Sequence, residues 1–149
     1  MPILDLKQTR RSMVEVNQSI EAYCLLCSLD AFIMIQPGIE PRASPNSSRS
    51  VSPTTNPALG ISLMEEAIRV RKLLDYVENP SITTVITSYF LFGCCFGLNK
   101  HNTAWFHLRE ATALVQLLGM QEEGTYMAGD DVANGIRRRL FWLLFVTER

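Results

Sequence analysis

Histidine, tryptophan and charge are all scarce in this chain, and each shortage excludes something. Of 149 residues two are His, two are Trp, and 19% are charged, with a net charge of -1. Such a balance gives no broad attraction to nucleic acid or to an anionic membrane surface. Neither His101 nor His107 has a Ser, Cys or carboxylate at a recognisable motif spacing, so no general base can be assigned. His101 sits beside Asn99 and Asn102 in what reads as an exposed turn. His107 lies beside Arg109 and Glu110. No catalytic residue is expected, and the chain does not read as an enzyme.

Long uncharged apolar runs are missing too. Ile20 to Gln36 carries Glu21 and Asp30, and Ile82 to Leu98 is broken by Thr83, Thr84, Thr87 and Ser88. Both fall short of the ~20 mostly apolar residues that cross a bilayer, so they read as buried core helices and no membrane partner is expected. The start, MPILDLKQTRR, has no apolar run behind its charges and does not read as a signal peptide. Strand alternation bounded by hairpin turns is also absent. With 47% apolar residues the chain can bury a real core. One all-α domain built of antiparallel helical hairpins is expected over residues 1–149.

The four cysteines, Cys24, Cys27, Cys94 and Cys95, lie in apolar, helix-like segments. They read as reduced, buried thiols of an intracellular protein. Cys24-x-x-Cys27 has half the spacing of a zinc site, but no second ligand pair at matching spacing accompanies it. Cys94 and Cys95 are adjacent on one helix and point in different directions. Core packing is the expectation for all four, with no metal ligand and no cofactor of this chain.

Taken in order, residues 1–11 read as a loose lead-in, and Ser12 with Glu15 has capping-box spacing. A helix from about Ser19 to Gln36 is closed by Pro37-Gly38. Residues 37–60 hold five of the seven prolines and five of the eleven serines. With so little apolar surface they read as a disordered loop, in which Ser44-Pro45 and Ser52-Pro53 read first as linker composition and second as phosphorylation sites. Ser62 and Glu65 form a second capping box, opening a helix to about Glu78. Its stripe is Leu63, Ala67, Val70, Leu74 and Val77, with a Glu65–Arg69 pair on the solvent side. Asn79-Pro80 ends it.

Residues 82–119 form the central unit. Ser81 caps a helix from Ile82 to Phe96, whose end FLFGCCFG is apolar all round and must be enclosed. Gly97 is the expected stop, and Asn102 the N-cap of a return helix, Thr103 to Leu118, ending at Gly119. Ala104, Ala111 and Ala113 let the two helices approach, with Trp105, Leu108, Val115 and Leu118 as knobs. After a polar, Gly-rich stretch from Gln121 to Gly135, Asp130 or Asp131 caps a last helix. Its inner face is Ile136, Leu140, Phe141, Leu144 and Phe145. The sequence stops inside that pattern, which suggests a fragment of something longer.

Three further features carry readings. Arg137 to Arg139 can contact phosphates, but three consecutive helix positions cannot face one way. One of them is expected to turn inward to Glu110, Asp75 or Glu78. The aromatic set Tyr89, Phe90, Phe92, Phe96, Trp105, Phe106, Phe141, Trp142 and Phe145 reads first as core and second as the wall of a ligand pocket. The ends of the helical set are expected to leave apolar surface bare, favouring protein partners or self-association. Trp105→Ala should then cost about 3–5 kcal/mol if the ring is core.

The pieces FGLNKHNTAWFHLREATALVQLLGM and RRRLFWLLFVTER, with a polar loop between them, are similar to a known pattern. The chain resembles the middle homology, or regulatory, domain of fungal zinc-cluster transcription factors, of the type found in maltose and amylolytic activators. EAYCLLCSLDAFIMIQPG and MEEAIRVRKLLDYVENPS also fit the family's upstream helices. The resemblance implies a partial, all-α regulatory domain of a nuclear protein controlling transcription by RNA polymerase II, with carbohydrate-utilisation genes as targets and a metabolite as a possible ligand. It also implies a six-cysteine DNA-binding module with two zinc ions, which this sequence lacks, so DNA and zinc would be met only through a module outside it. Two other classes remain: a helical-hairpin interaction scaffold, although no second copy at a ~34-residue period is visible, and a small-molecule-binding helical domain.

Overall fold

The computed structural model describes residues 19–36, 56–126 and 130–149. Among them are five α-helices and no strand: α1 (Ile20–Ile35), α2 (Pro57–Arg71), α3 (Ile82–Gly97), α4 (His101–Leu117) and α5 (Asp131–Glu148), with a short 3-10 turn at Glu123–Tyr126. The lead-in, the Ser12 capping box, the Pro37-Gly38 stop, Ser44 and Ser52 lie outside the described residues, as does residues 37–55 of the expected loop.

Local chemistry sets most of the helix ends. Ser19 accepts the Ala22 N–H at the start of α1. Ser81 and Thr84 make a reciprocal capping box at the start of α3, each side chain accepting the other's backbone N–H. The α3–α4 turn is closed by Asn99, at φ 58°, rather than by Gly97. The Lys100 N–H reaches the Cys95 carbonyl and the Asn99 N–H the Phe96 carbonyl, so a Schellman motif forms around a left-handed Asn. Lys100 stands at the N-cap of α4, two residues before the expected Asn102. Gly119, at φ 63°, ends α4 in the same way, as its position predicts.

Helix α2 is displaced from its expected span at both ends. Asn56 caps it and Pro57 opens it, so Ser62 lies inside the helix and donates its hydroxyl to the Ala58 carbonyl. At the other end the N–H groups of Leu73 and Leu74 turn back to Val70 and Arg71, three residues away, and the helix stops at Arg71. Leu73 and Val77 are exposed as a result. The buried residues are Gly60, Met64, Ala67, Val70 and Arg71, so Ala67 and Val70 of the expected stripe face inward, while Leu63 and Leu74 are half-buried and Val77 is exposed. Arg69 pairs bidentately with Glu66, not Glu65.

The helices pack where small residues allow. A Cβ on Gly60 would stand 2.9 Å from Ile35 Cγ1 and 3.1 Å from Met34 Cβ, so α2 lies close on α1. A Cβ on Gly93 would run into the Phe32 ring, which brings α3 equally close to α1. Ala31, Ala67, Ala104 and Ala111 are wholly buried. Two core clusters result. One, around Cys27, Ala31, Met64, Leu91, Cys94, Cys95 and Ala104, joins α1, α2, the second half of α3 and the start of α4. The other joins Val85, Ile86 and Phe90 of α3 to Leu108, Leu114 and Val115 of α4 and to Leu140 and Leu144 of α5.

The large aromatics are mostly not at the centre. Phe90 is buried, but Phe96 is 52% exposed, Trp105 47% and Phe106 64%. The end of α3 is therefore not enclosed on every side, and Trp105 is not a core knob. Ala113 is exposed as well. On α5, Ile136, Leu140 and Leu144 face inward as expected, while Phe145 is exposed.

Candidate functional site

Among the described residues, a strongly polar part of the interior lies where α2, α3 and α4 meet. Arg71, the last residue of α2, is 4% exposed. It is drawn inward by Glu110 of α4: its Nη1 donates to Glu110 Oε2 at 3.0 Å. Its Nη2 donates to Ser88 Oγ and, more weakly, to the Thr84 carbonyl at 3.5 Å, both on α3. The guanidinium plane lies over the Tyr76 ring, 4.1 Å from its centre. The Tyr76 hydroxyl donates to the other carboxylate oxygen at 2.6 Å. The Ser88 hydroxyl has one proton and two acceptors in reach, the Thr84 carbonyl at 3.1 Å and Glu110 Oε2 at 3.3 Å. His107 Nδ1 lies 3.3 Å from the same carboxylate oxygen, one helical turn back on α4. Arg71 Nε alone finds no acceptor.

Glu110 is thus the hub. Burial pushes its carboxyl up, but donation from His107 and Tyr76 and the adjacent Arg71 charge outweigh burial and hold it down to about 2. The carboxylate stays ionised at any physiological pH. A buried ion pair of this kind contributes less net stability than its geometry suggests, because both charges left water. What the network does is tie α2, α3 and α4 to one carboxylate, so that removing one partner leaves the others unpaired.

A cleft of about 320 Å³ opens beside the network, lined by Ile68, Arg71, Lys72, Leu74, Tyr76, Leu91, Phe106, His107 and Glu110. Of the expected aromatic set only Phe106 lines it. Phe141 and Phe145 line a second groove of about 460 Å³ between α4 and α5, with Val115, Leu144 and the polar Thr112, Gln116, Gln121 and Glu148. Arg109 and Glu148 pair at 2.9 Å beside it, linking α4 to α5.

The remaining candidate residues fall as follows. His101 is exposed and packs edge-on against Phe96, 5.4 Å between ring centres. The arginine that meets Glu110 is Arg71; of the Arg137–Arg139 run, Arg137 is half-buried, with its Nε enclosed and without an acceptor. Arg138 lies 5.0 Å over the Tyr126 ring and Arg139 is exposed. All four cysteines are unpaired and buried. Cys24 donates to the Ala67 carbonyl and Cys94 to the Ser28 carbonyl, each at 3.8 Å. Burial pushes the Cys24 thiol up to about 11 and the Cys94 thiol up to about 12, which suppresses the thiolate a metal or an oxidant would need. Among the described residues no three His, Cys, Asp or Glu come together as a metal site. The donor set therefore does not fit the zinc cluster that the resemblance attaches to the family. No helix among the described residues is long and apolar enough to cross a membrane.

Sequence reasoning missed the network because Arg71 was assigned to a continuing helix. The available signal was the register Gly60, Met64, Ala67, Arg71, which places the cation on the face of the smallest residues. It also lay in Thr84 and Ser88, polar residues on the buried side of α3.

No family model matches the chain, and no solved structure matches it. The chain is similar to the "Probable sucrose utilization protein SUC1" of Candida albicans, with 27% identity over 148 residues. The match covers 99% of this chain, which spans 28% of that relative's length.

Proposed function

We propose that the chain is a non-enzymatic regulatory segment of a nuclear, fungal-type regulator of sugar-utilisation genes transcribed by RNA polymerase II. The carrying observation is the likeness, from end to end of this chain, to a protein named for sucrose utilisation. The Leu-Arg-Glu-Ala helix and the Arg-rich helix after it support the same reading. So does the fold, in which Glu110 of Leu-Arg-Glu-Ala is a partly buried hub rather than a surface charge. In this reading the helical block holds an activator in check or releases it. Zinc and DNA contacts belong to a module outside this sequence, and protein partners are met by the exposed helix faces.

A fusion assay tests it. The 149-residue chain is placed between a heterologous DNA-binding module and an activation domain in yeast. Reporter output should fall several-fold relative to the fusion lacking the chain, and should recover when glucose is replaced by sucrose or maltose. Output that is unchanged by the insert on every carbon source would contradict the reading. A small-molecule-binding role has one specific observation in its favour, the cleft with His107, Tyr76 and Lys72 at its wall. A thermal-shift screen of mono- and disaccharides against the wild type and Phe106→Ala addresses it directly.

A further inference from the structure

The outer side of α5 carries a stripe that nothing in the described chain covers. Val132, Gly135, Arg139, Trp142, Val146 and Arg149 recur at alternating three- and four-residue spacing, the spacing of a helix–helix seam. Val132 is 59% exposed, Trp142 57% and Val146 70%, and Arg139 and Arg149 are exposed. Arg139 has no ion pair or ring contact within the described chain. Gly135 is the second observation. Glycine weakens a helix interior, and the other glycines inside long helices, Gly60 and Gly93, are required by a close neighbour. At Gly135 nothing lies within 4 Å of where a Cβ would stand. It forms an empty notch that faces outward.

We infer that this stripe is the interface for a second copy of the chain, paired antiparallel through α5. The sequence of the stripe is complementary to its own reverse. In the antiparallel register Arg139 lies across from Trp142 of the second copy, a cation against an aromatic face, and the two-fold axis repeats that contact. The Gly135 notch receives Val146 of the second copy. Asp131 and Arg149 are eighteen residues apart, five full turns, and so share one line along the helix. The antiparallel register brings each beside the other's counterpart in the second copy. A parallel pair would instead set Arg139 against Arg139 and Arg149 against Arg149. Charge therefore selects both the orientation and a like partner.

One helix per copy makes a small seam, below or near the ~1,200 Å² of stable interfaces. A dissociation constant on the order of 10 μM is expected. Sedimentation equilibrium on the 149-residue chain between about 1 and 300 μM reads it. The expected result is a monomer–dimer equilibrium that saturates at the dimer. Arg139→Glu should weaken it more than about tenfold. Asp131→Arg and Arg149→Asp should each weaken it, and the two together should restore it to within about twofold. That rescue separates an interface from a mere loss of helix-start charge, which Arg149→Asp cannot repair. A circular-dichroism melt of each variant at low concentration should match the wild type. A monomer at every concentration would overturn the inference. So would open-ended aggregation, or a dimer whose affinity none of these substitutions changes.

Discussion

The α1–α4 block and the α5 helix are both amphipathic helical structure, yet they are held by different means. In the block, glycine and alanine bring backbones together and a buried ion pair fixes their register. Gly60 and Gly93 sit against Met34, Ile35 and Phe32, and Arg71, Glu110, Ser88 and Tyr76 tie α2, α3 and α4. Helix α5 contributes Ile136, Leu140 and Leu144 to the core and a surface pair, Arg109–Glu148, and leaves Trp142 and Val146 in water. Close packing in this protein follows small side chains, and large aromatic ones collect at the rim.

The sharpest way to break the contrast is Glu110→Gln. It strands Arg71 as an unpaired buried charge and should cost about 3–5 kcal/mol by chemical denaturation. Leu108→Ala, at a wholly buried site on α4, should cost about 2–5 kcal/mol. A pH titration comes next. The folded carboxyl of Glu110 lies below its ordinary 4.5, at about 2. The ionised form is thus favoured by folding, and its contribution is fully present above about pH 4.5. As pH falls toward 2 the unfolded chain binds the proton first, and up to about 3 kcal/mol is lost. In Glu110→Gln that acid-dependent loss should shrink. The two helix glycines give a smaller test of opposite sign. Gly60→Ala forces α2 off α1 and should destabilise by about 1–2 kcal/mol. Gly135→Ala meets open space and should stabilise the monomer by up to about 1 kcal/mol. Trp105→Ala should be the smallest change, under about 1 kcal/mol, because the ring is half in water.

Much of this architecture is legible in the residues. Ser19, Ser81 and Gly119 announce helix ends through local chemistry, and the 3.6-residue period places Leu108, Leu140 and Leu144 correctly inside. What was hidden depends on partners distant in sequence. Nothing local says that α2 stops at Arg71; the stop goes with Glu110, thirty-nine residues on. The left-handed residue after α3 is Asn99 although Gly97 is the better local candidate, because the Lys100 N–H must reach the Cys95 carbonyl. Trp105 and Phe96 look like core by size alone. They are outside because the space between α3 and α4 is closed by Ala104, Leu108 and Ala111. The candidate site shared that fate. Its one histidine neighbour, His107, was visible beside Glu110, but the arginine that gives the carboxylate its meaning was not.

Hydrogen–deuterium exchange on the 149-residue chain tests the contrast most directly. At about 1 μM the amides of α3 and α4 should be the most protected, and those of α5 should exchange markedly faster. At about 300 μM, α5 alone should gain protection as its outer stripe is covered. Equal protection of all helices at low concentration, or an α5 whose exchange ignores concentration, would contradict a locked block joined to an open helix.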